Sequence, residues 1–175
     1  MLTGKSLING AWMDTSSHFQ AVEAVTANKL PTLHTVSGPD EVARAGQAAS
    51  DAFLDYAGLD DRSRAKFLDV CADEIDNIGA QITEIGALET GLPVGRLDGE
   101  RGRTVGQLRL FAQYIREGRH HERRVDVALP DRQPLPRPDL RLMMRPIGPV
   151  AVFGASNFPL AFSVAGGDPE TCCWA

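Results

Sequence analysis

The apolar positions change their period twice along the chain. At the start, short apolar stretches alternate with polar ones. Leu7 and Ile8 lead into Asn9-Gly10, with Trp12 beyond. Asn-Gly accepts the positive φ angles of a two-residue turn, so a hairpin is predicted there. The polar stretch that follows, through Thr35, carries Ala21, Val22, Ala24 and Val25 and reads as extended. Helical spacing then takes over. Ser37-Gly38-Pro39-Asp40 reads as a helix start, with Ser37 as its cap and acidic residues near the positive end of the dipole. Behind it Val42, Ala45, Ala49, Ala52, Phe53 and Tyr56 recur at three- and four-residue steps. A second helix after Asp60-Asp61 carries Ala65, Leu68, Cys71, Ala72, Ile75 and Ile78 on one face, and Gly79 is expected to close it in the left-handed conformation. A third helix carries Ile82, Ile85 and Leu88 and ends at Gly91 and Pro93. A fourth, over residues 94–117, is expected to bury Val105, Leu108, Phe111, Ala112 and Ile115.

After Gly118 the period shortens again. Val125, Val127 and Leu129 alternate with polar residues, as in a strand with one wet face. Residues 130–138 hold four prolines and must form a loop, after which Leu140, Leu142 and Met144 alternate. Val150-Ala151-Val152-Phe153 is a continuous apolar run of the kind buried in a parallel sheet. It runs into Gly154-Ala155-Ser156-Asn157, and residues 158–165 are suited to a helix. Helices, then a hairpin, then a buried strand turning into a helix predict an α/β chain entering a doubly wound sheet. Ligands in such sheets collect at the carboxyl ends of strands, the place that Phe153-Gly154-Ala155-Ser156-Asn157 occupies. It is not the G-x-G-x-x-G fingerprint. The residues alone leave Asn157 either as a turn or cap residue or as an amide donor to a developing oxyanion.

Composition narrows the classes. With 175 residues the chain suffices for one modest domain or part of a larger one, and 43% hydrophobic with 23% charged residues is the balance of an ordinary soluble protein. A net charge of −5 argues against a nucleic-acid partner, which needs a basic surface. No apolar run approaches the about 20 residues that span a bilayer, so no membrane is expected. The first residues lack a basic segment followed by an apolar core, so no secretory signal is expected. Cys71, Cys172 and Cys173 form no framework of paired spacings, which points to a reducing, cytoplasmic setting. His120-His121-Glu122 reads as a solvated helix end rather than a metal site, since adjacent helical side chains point about 100° apart. Arg116, Arg119, Arg123 and Arg124 read as a surface patch, and Glu84 and Glu89 as surface carboxylates. No metal is assigned.

Several separated motifs carry a resemblance. The run from Arg145-Pro146-Ile147-Gly148-Pro149 through Gly154-Ala155-Ser156-Asn157-Phe158-Pro159-Leu160 resembles the aldehyde dehydrogenase superfamily at the entry to its cofactor domain. Ile8-Asn9-Gly10-Ala11-Trp12 looks like the family's N-terminal hairpin, and Leu88-Glu89-Thr90-Gly91-Leu92-Pro93 like its Glu-Thr-Gly-x-Pro helix end. The continuation through Ala165-Gly166-Gly167-Asp168 is most similar to the α-ketoglutaric semialdehyde dehydrogenase branch. The resemblance implies a truncated α/β chain: an N-terminal helical part, an oligomerisation hairpin, and the first strand-turn-helix of a Rossmann-like cofactor domain. It assigns residues 1–168 to a partial N-terminal, cofactor-binding region, with arm strands at about 123–145, and leaves 169–175 as a tail outside the family. It further implies an aldehyde substrate, NAD or NADP as coenzyme, and a homo-oligomer formed through the arm strands. By the same resemblance Asn157 is the catalytic oxyanion donor, Phe153, Gly154, Ala155 and Ser156 line the nicotinamide side of the cofactor cleft, and Phe158 faces the substrate channel.

The departures matter as much. The family continues with a strand ending in a lysine that contacts the adenosine ribose, a glutamate general base, and a nucleophilic cysteine in a Gly-Gln-x-Cys setting, and none can be placed on this chain. Cys71 lies on the apolar stripe of the second helix and reads as a core residue. Cys172 and Cys173 follow Pro169-Glu170-Thr171 with no feature that would activate a thiol, and a shifted reading frame or misplaced gene end is the expected origin of that tail. Two functions remain open: a fragment of an NAD(P)-dependent aldehyde oxidoreductase, inactive alone, or an interaction module whose arm pairs with intact subunits.

Overall fold

The structure is a computed structural model, and it describes residues 3–166. The tail expectations, including Cys172 and Cys173, fall outside the described residues. The first hairpin forms as its turn chemistry predicts: β1 (Ser6–Ile8) pairs antiparallel with β2 (Ala11–Met13), and Asn9 and Gly10 both hold positive φ, 50° and 73°. The polar stretch is extended and folds back on itself, β3 (His18–Val22) against β4 (Lys29–Thr35), with an irregularity between Gln20 and Val22.

Helix α1 (Pro39–Ala57) starts one residue later than expected. Gly38 is its cap, and the Gly38 N–H donates to Glu41 Oε2 at 2.9 Å. Ser37 is not available for capping, because its hydroxyl shares a 2.9 Å hydrogen bond with the Ser6 hydroxyl of β1. No residue of α1 is fully buried, but Phe53 and Tyr56 of its apolar stripe are half-buried, and the Tyr56 ring stands edge-on to Phe67 with centroids 6.0 Å apart.

The core lies between α2 (Asp61–Asn77) and α4 (Val94–Arg116). Ala65, Leu68 and Ala72 of α2 meet Val105, Leu108, Ala112 and Ile115 of α4, with Cys71, Ile75 and Phe111 half-buried at the margin. These are positions that helical spacing marks, because one face of each helix must leave water. Asp60 caps α2, accepting from the Ser63 N–H at 2.7 Å. Arginines of α4 run beside the core toward acids of α2: Arg101 to Asp76, Arg109 to Asp73 and Asp76, Arg116 to Asp69. They fix register on a wet surface and add little energy there.

Helix α3 (Gly79–Thr90) corrects one expectation. Gly79 does not end α2 in a left-handed conformation; α2 breaks at Ile78, and Gly79 is the buried first residue of α3. A Cβ there would stand 2.5 Å from Arg101 Nη1, so glycine serves close approach rather than positive φ. Gly91, by contrast, closes α3 at φ 67° as expected, its N–H donating to the Ala87 carbonyl at 2.9 Å.

Strand β5 (Arg124–Asp126) pairs antiparallel with β6 (Leu140–Leu142), shorter than the alternation suggested. Every residue of both strands is exposed, so the ribbon has two wet faces rather than one.

Residues 150–165 form neither the expected buried strand nor the expected helix. Phe153 is 87% exposed. A strand needs a neighbour to complete its ladder, and among the described residues none runs beside 150–153. The 158–165 stretch closes one helical bond, from the Phe162 N–H to the Phe158 carbonyl, and otherwise runs as turns, with the Leu160 carbonyl and the Leu160 and Ala161 N–H groups bonded to side chains of α4. Helices beside small antiparallel sheets make an α/β chain dominated by its helical part.

Candidate active-site turn

Residues 154–163 form a compact turn lying on α4. The Ala155 N–H donates to the Phe162 carbonyl at 2.8 Å, and the Phe162 N–H to the Phe158 carbonyl at 3.0 Å. Pro159 fixes one φ angle within it. Gly166 follows in contact with Ala161, where any Cβ would come within 2.3 Å of the Ala161 carbonyl oxygen.

The turn is held mainly by three polar residues of α4 at four-residue spacing, Arg96, Glu100 and Thr104, which share one helix face. Glu100 Oε2 accepts from the N–H groups of Leu160 (3.1 Å) and Ala161 (3.4 Å), while Oε1 accepts from Arg96 Nε at 3.0 Å. Arg96 Nη2 donates to the Asn157 carbonyl at 3.0 Å, and the Thr104 hydroxyl donates to the Leu160 carbonyl at 2.9 Å. Arg96 also lies over the Phe158 ring, 5.4 Å from its centroid. Glu100 is only 7% exposed. Burial opposes its ionisation, but the two backbone N–H groups and Arg96 outweigh that and hold its carboxyl below the usual range.

A family model described as the aldehyde dehydrogenase family matches residues 12–169. The chain belongs to the aldehyde dehydrogenase family. It is 51% identical over 168 residues to an α-ketoglutaric semialdehyde dehydrogenase of Acinetobacter baylyi, covering 94% of this chain and 32% of that protein. It is 57% identical over 133 residues to α-ketoglutaric semialdehyde dehydrogenase 2 of Azospirillum brasilense, covering 76% of this chain and 25% of that protein. Among solved structures it is similar to an Escherichia coli NADP dependent enzyme, with TM-score 0.84 at 22% identity over 99% of this chain and 34% of that one. That likeness shows the fold. The chain spans about a third or less of the length of these relatives.

Within this aldehyde dehydrogenase segment the residues expected at the site gather on the turn. Asn157 has its carbonyl tied to Arg96 and is exposed. Phe158 stands beside it, edge-on to Phe162 with centroids 5.5 Å apart. Residues 153–156 lead into the turn as exposed chain, but they do not make a dinucleotide cradle by themselves. The Ala155 N–H is already bonded to Phe162, and the space beside Gly154 is filled by the backbone of residues 162 and 163. A groove of about 620 Å³ between Val25, α3 and the start of α4 lies elsewhere. Three of its polar lining residues bond to one another, Asp98 accepting from Thr83 and from Arg101. Cys71 carries no sign of a nucleophile, since burial pushes its thiol above the usual value.

The two adjacent histidines correct the expectation of a solvated helix end. They sit in a 3₁₀ turn, Arg119–His121, and His120 is 8% exposed. His121 Nε2 lies 3.0 Å from Asp61 Oδ2, and Arg64 Nη2 reaches both Asp61 Oδ1 (2.7 Å) and His120 Nε2 (3.1 Å). Asp61, His120 and His121 offer ligand atoms within 4.8 Å of one another, a grouping that suits a metal ion. The Arg64 guanidinium already supplies the positive charge there. Arginine can only donate, so His120 Nε2 accepts and the ring is neutral.

Neutral His120 makes stability depend on pH. Burial first, then the positive field of His121, lowers its pKa from 6.5, against the pull of Asp61. Below about 6.5 the unfolded chain therefore binds a proton that the folded chain refuses. Stability should fall as pH drops from there, and stop falling from this cause once the folded ring also protonates. His120→Gln keeps an acceptor for Arg64 without titrating. Urea unfolding across that interval should show a flatter pH dependence for it, and equal slopes would remove His120 as the cause.

Proposed function

We propose that this chain supplies the N-terminal, oxyanion-binding part of an NAD(P)-dependent aldehyde dehydrogenase that oxidises α-ketoglutaric semialdehyde or a similar semialdehyde to the acid. The observation that carries this reading is 51% identity with the Acinetobacter baylyi enzyme across 94% of the chain, the Asn157 turn included. Asn157 is the oxyanion donor: its exposed amide stands on a braced backbone and can reach an oxygen that gains charge when a thiolate adds to the aldehyde carbon. Phe158 borders the aldehyde's path. Phe153, Gly154, Ala155 and Ser156 form the wall met by the nicotinamide, NAD or NADP, which when bound supplies the hydride acceptor. The thiolate, the base that activates water and the remainder of the coenzyme site belong to the length of the relatives that this chain does not span.

The β5–β6 ribbon is the arm through which subunits of a cytoplasmic homo-oligomer join. Its two open edges and wholly exposed faces favour that role, because such a ribbon gains from adding to a sheet of another subunit. The same exposure favours the second reading, in which the chain alone pairs with intact subunits.

The experiment joins residues 1–166 in frame to the remaining length of the Acinetobacter baylyi relative. This joined enzyme should oxidise α-ketoglutaric semialdehyde with NAD or NADP, while the 175-residue polypeptide alone should not. A folded joined enzyme with no turnover, or turnover by the short polypeptide after removal of host dehydrogenases, would overturn the reading.

A further inference from the structure

Two separate grips hold the backbone at Asn157 and just beyond it. Arg96 takes the Asn157 carbonyl itself, and Glu100 with Thr104 takes the N–H and carbonyl groups of residues 160 and 161. Between them lie Phe158, seated under Arg96, and Pro159 with its fixed φ. Each hydrogen bond goes to backbone, so it sets dihedral angles and leaves the Asn157 side chain unengaged by α4. A buried carboxylate is costly unless it is fully satisfied, and Glu100 is satisfied by these N–H groups and by Arg96. An apolar side chain at position 100 could pack against the turn, but it could not hold two successive amides in place.

We propose that Arg96, Glu100 and Thr104 act together as positioning residues, fixing the turn so that the Asn157 amide is aimed before the aldehyde arrives. This rests on Asn157 being the oxyanion donor. Preorganised donors stabilise a transition state because they need not reorient as charge develops. A displacement of about 1 Å in such a group can cost on the order of 10²-fold in rate.

The positioning and its catalytic consequence are tested separately. In the 175-residue chain, amide hydrogen exchange should show Leu160 and Ala161 exchanging about tenfold faster in Glu100→Gln, with the α2–α4 core amides unchanged. Unchanged exchange at the turn overturns the proposal. So does loosening of the whole of α4, which would mark Glu100 as a helix-packing residue. In the joined enzyme, Glu100→Gln and Thr104→Val should each lower the pre-steady-state hydride burst by about ten- to a hundredfold while leaving the coenzyme KM unchanged. Thr104→Ser, which keeps the hydroxyl, should retain the parent burst. A role confined to stability would lower Tm and leave the burst per folded molecule intact, and that result overturns the proposal. If Asn157→Ala lowers the burst but the α4 variants do not, this inference fails and the donor reading survives. If Asn157→Ala itself leaves the burst unchanged, the donor reading fails and takes the catalytic half of this inference with it.

Discussion

Asn157→Ala in the joined enzyme is expected to lower the acylation rate by on the order of 10²–10³-fold while coenzyme affinity stays nearly constant. The physical ground is differential binding. A carbonyl oxygen in the ground state accepts a weak hydrogen bond, whereas the oxyanion of the tetrahedral adduct accepts a strong one, so the lost donor raises the barrier more than it weakens the Michaelis complex. The alternative role for Asn157, a turn or cap residue, predicts the opposite division. Its removal would cost about 1 kcal/mol of stability and leave turnover per folded molecule unchanged. The structure already assigns the turn's stability to other groups, since the contact Asn157 makes with Arg96 runs through its backbone carbonyl and survives truncation of the side chain. Thermal unfolding and hydride-burst measurements on one preparation separate the two outcomes.

The largest effect on stability is expected at Leu68. It is 1% exposed and stands at the centre of the α2–α4 contact, so Leu68→Ala removes buried methyl groups and leaves a cavity that rigid helices cannot close. The expected cost is about 2–5 kcal/mol, a large share of the total for a chain of this size. Leu54→Ala is the matching control. Leu54 lies on α1, is 76% exposed, and should move stability by no more than about 0.5 kcal/mol. Urea unfolding of the 175-residue chain followed by helical circular dichroism reads both. Equal midpoints for the two variants would show that α2 does not pack on α4 in solution.

The candidate site was legible only in part. Its exposed members, Asn157 and Phe158, were reached through resemblance of the surrounding motif, since an asparagine in a turn has no distinguishing pattern of its own. Arg96, Glu100 and Thr104 were missed. A weak signal existed, because three polar residues recur at four-residue steps on a helix that otherwise buries its apolar face. Nothing local says whether such a column meets water or another part of the chain. The His120 environment was missed for a related reason: the expected geometry was that of an α-helix, but the residues turn in a 3₁₀ bend and face Asp61 and Arg64, which lie far back in sequence.

Features that depend on neighbours a few residues away were readable from the order of residues alone. Asn9-Gly10 set the first hairpin and Gly91 ended α3, because both turns need positive φ. Spacing marked the faces of α2 and α4 that make the core, since helical period alone decides which residues share a side. Family membership was legible from motifs in order along the chain. The rest depended on contacts between distant parts of the chain. Val150-Ala151-Val152-Phe153 has the composition of a buried strand, but a strand exists only where another lies beside it. Residues 158–165 have the composition of a helix, yet they close one helical bond, while Glu100 and Thr104 take the Leu160 and Ala161 N–H groups and the Leu160 carbonyl. Those partners lie 60 and 56 residues away along the chain, beyond the reach of any local pattern.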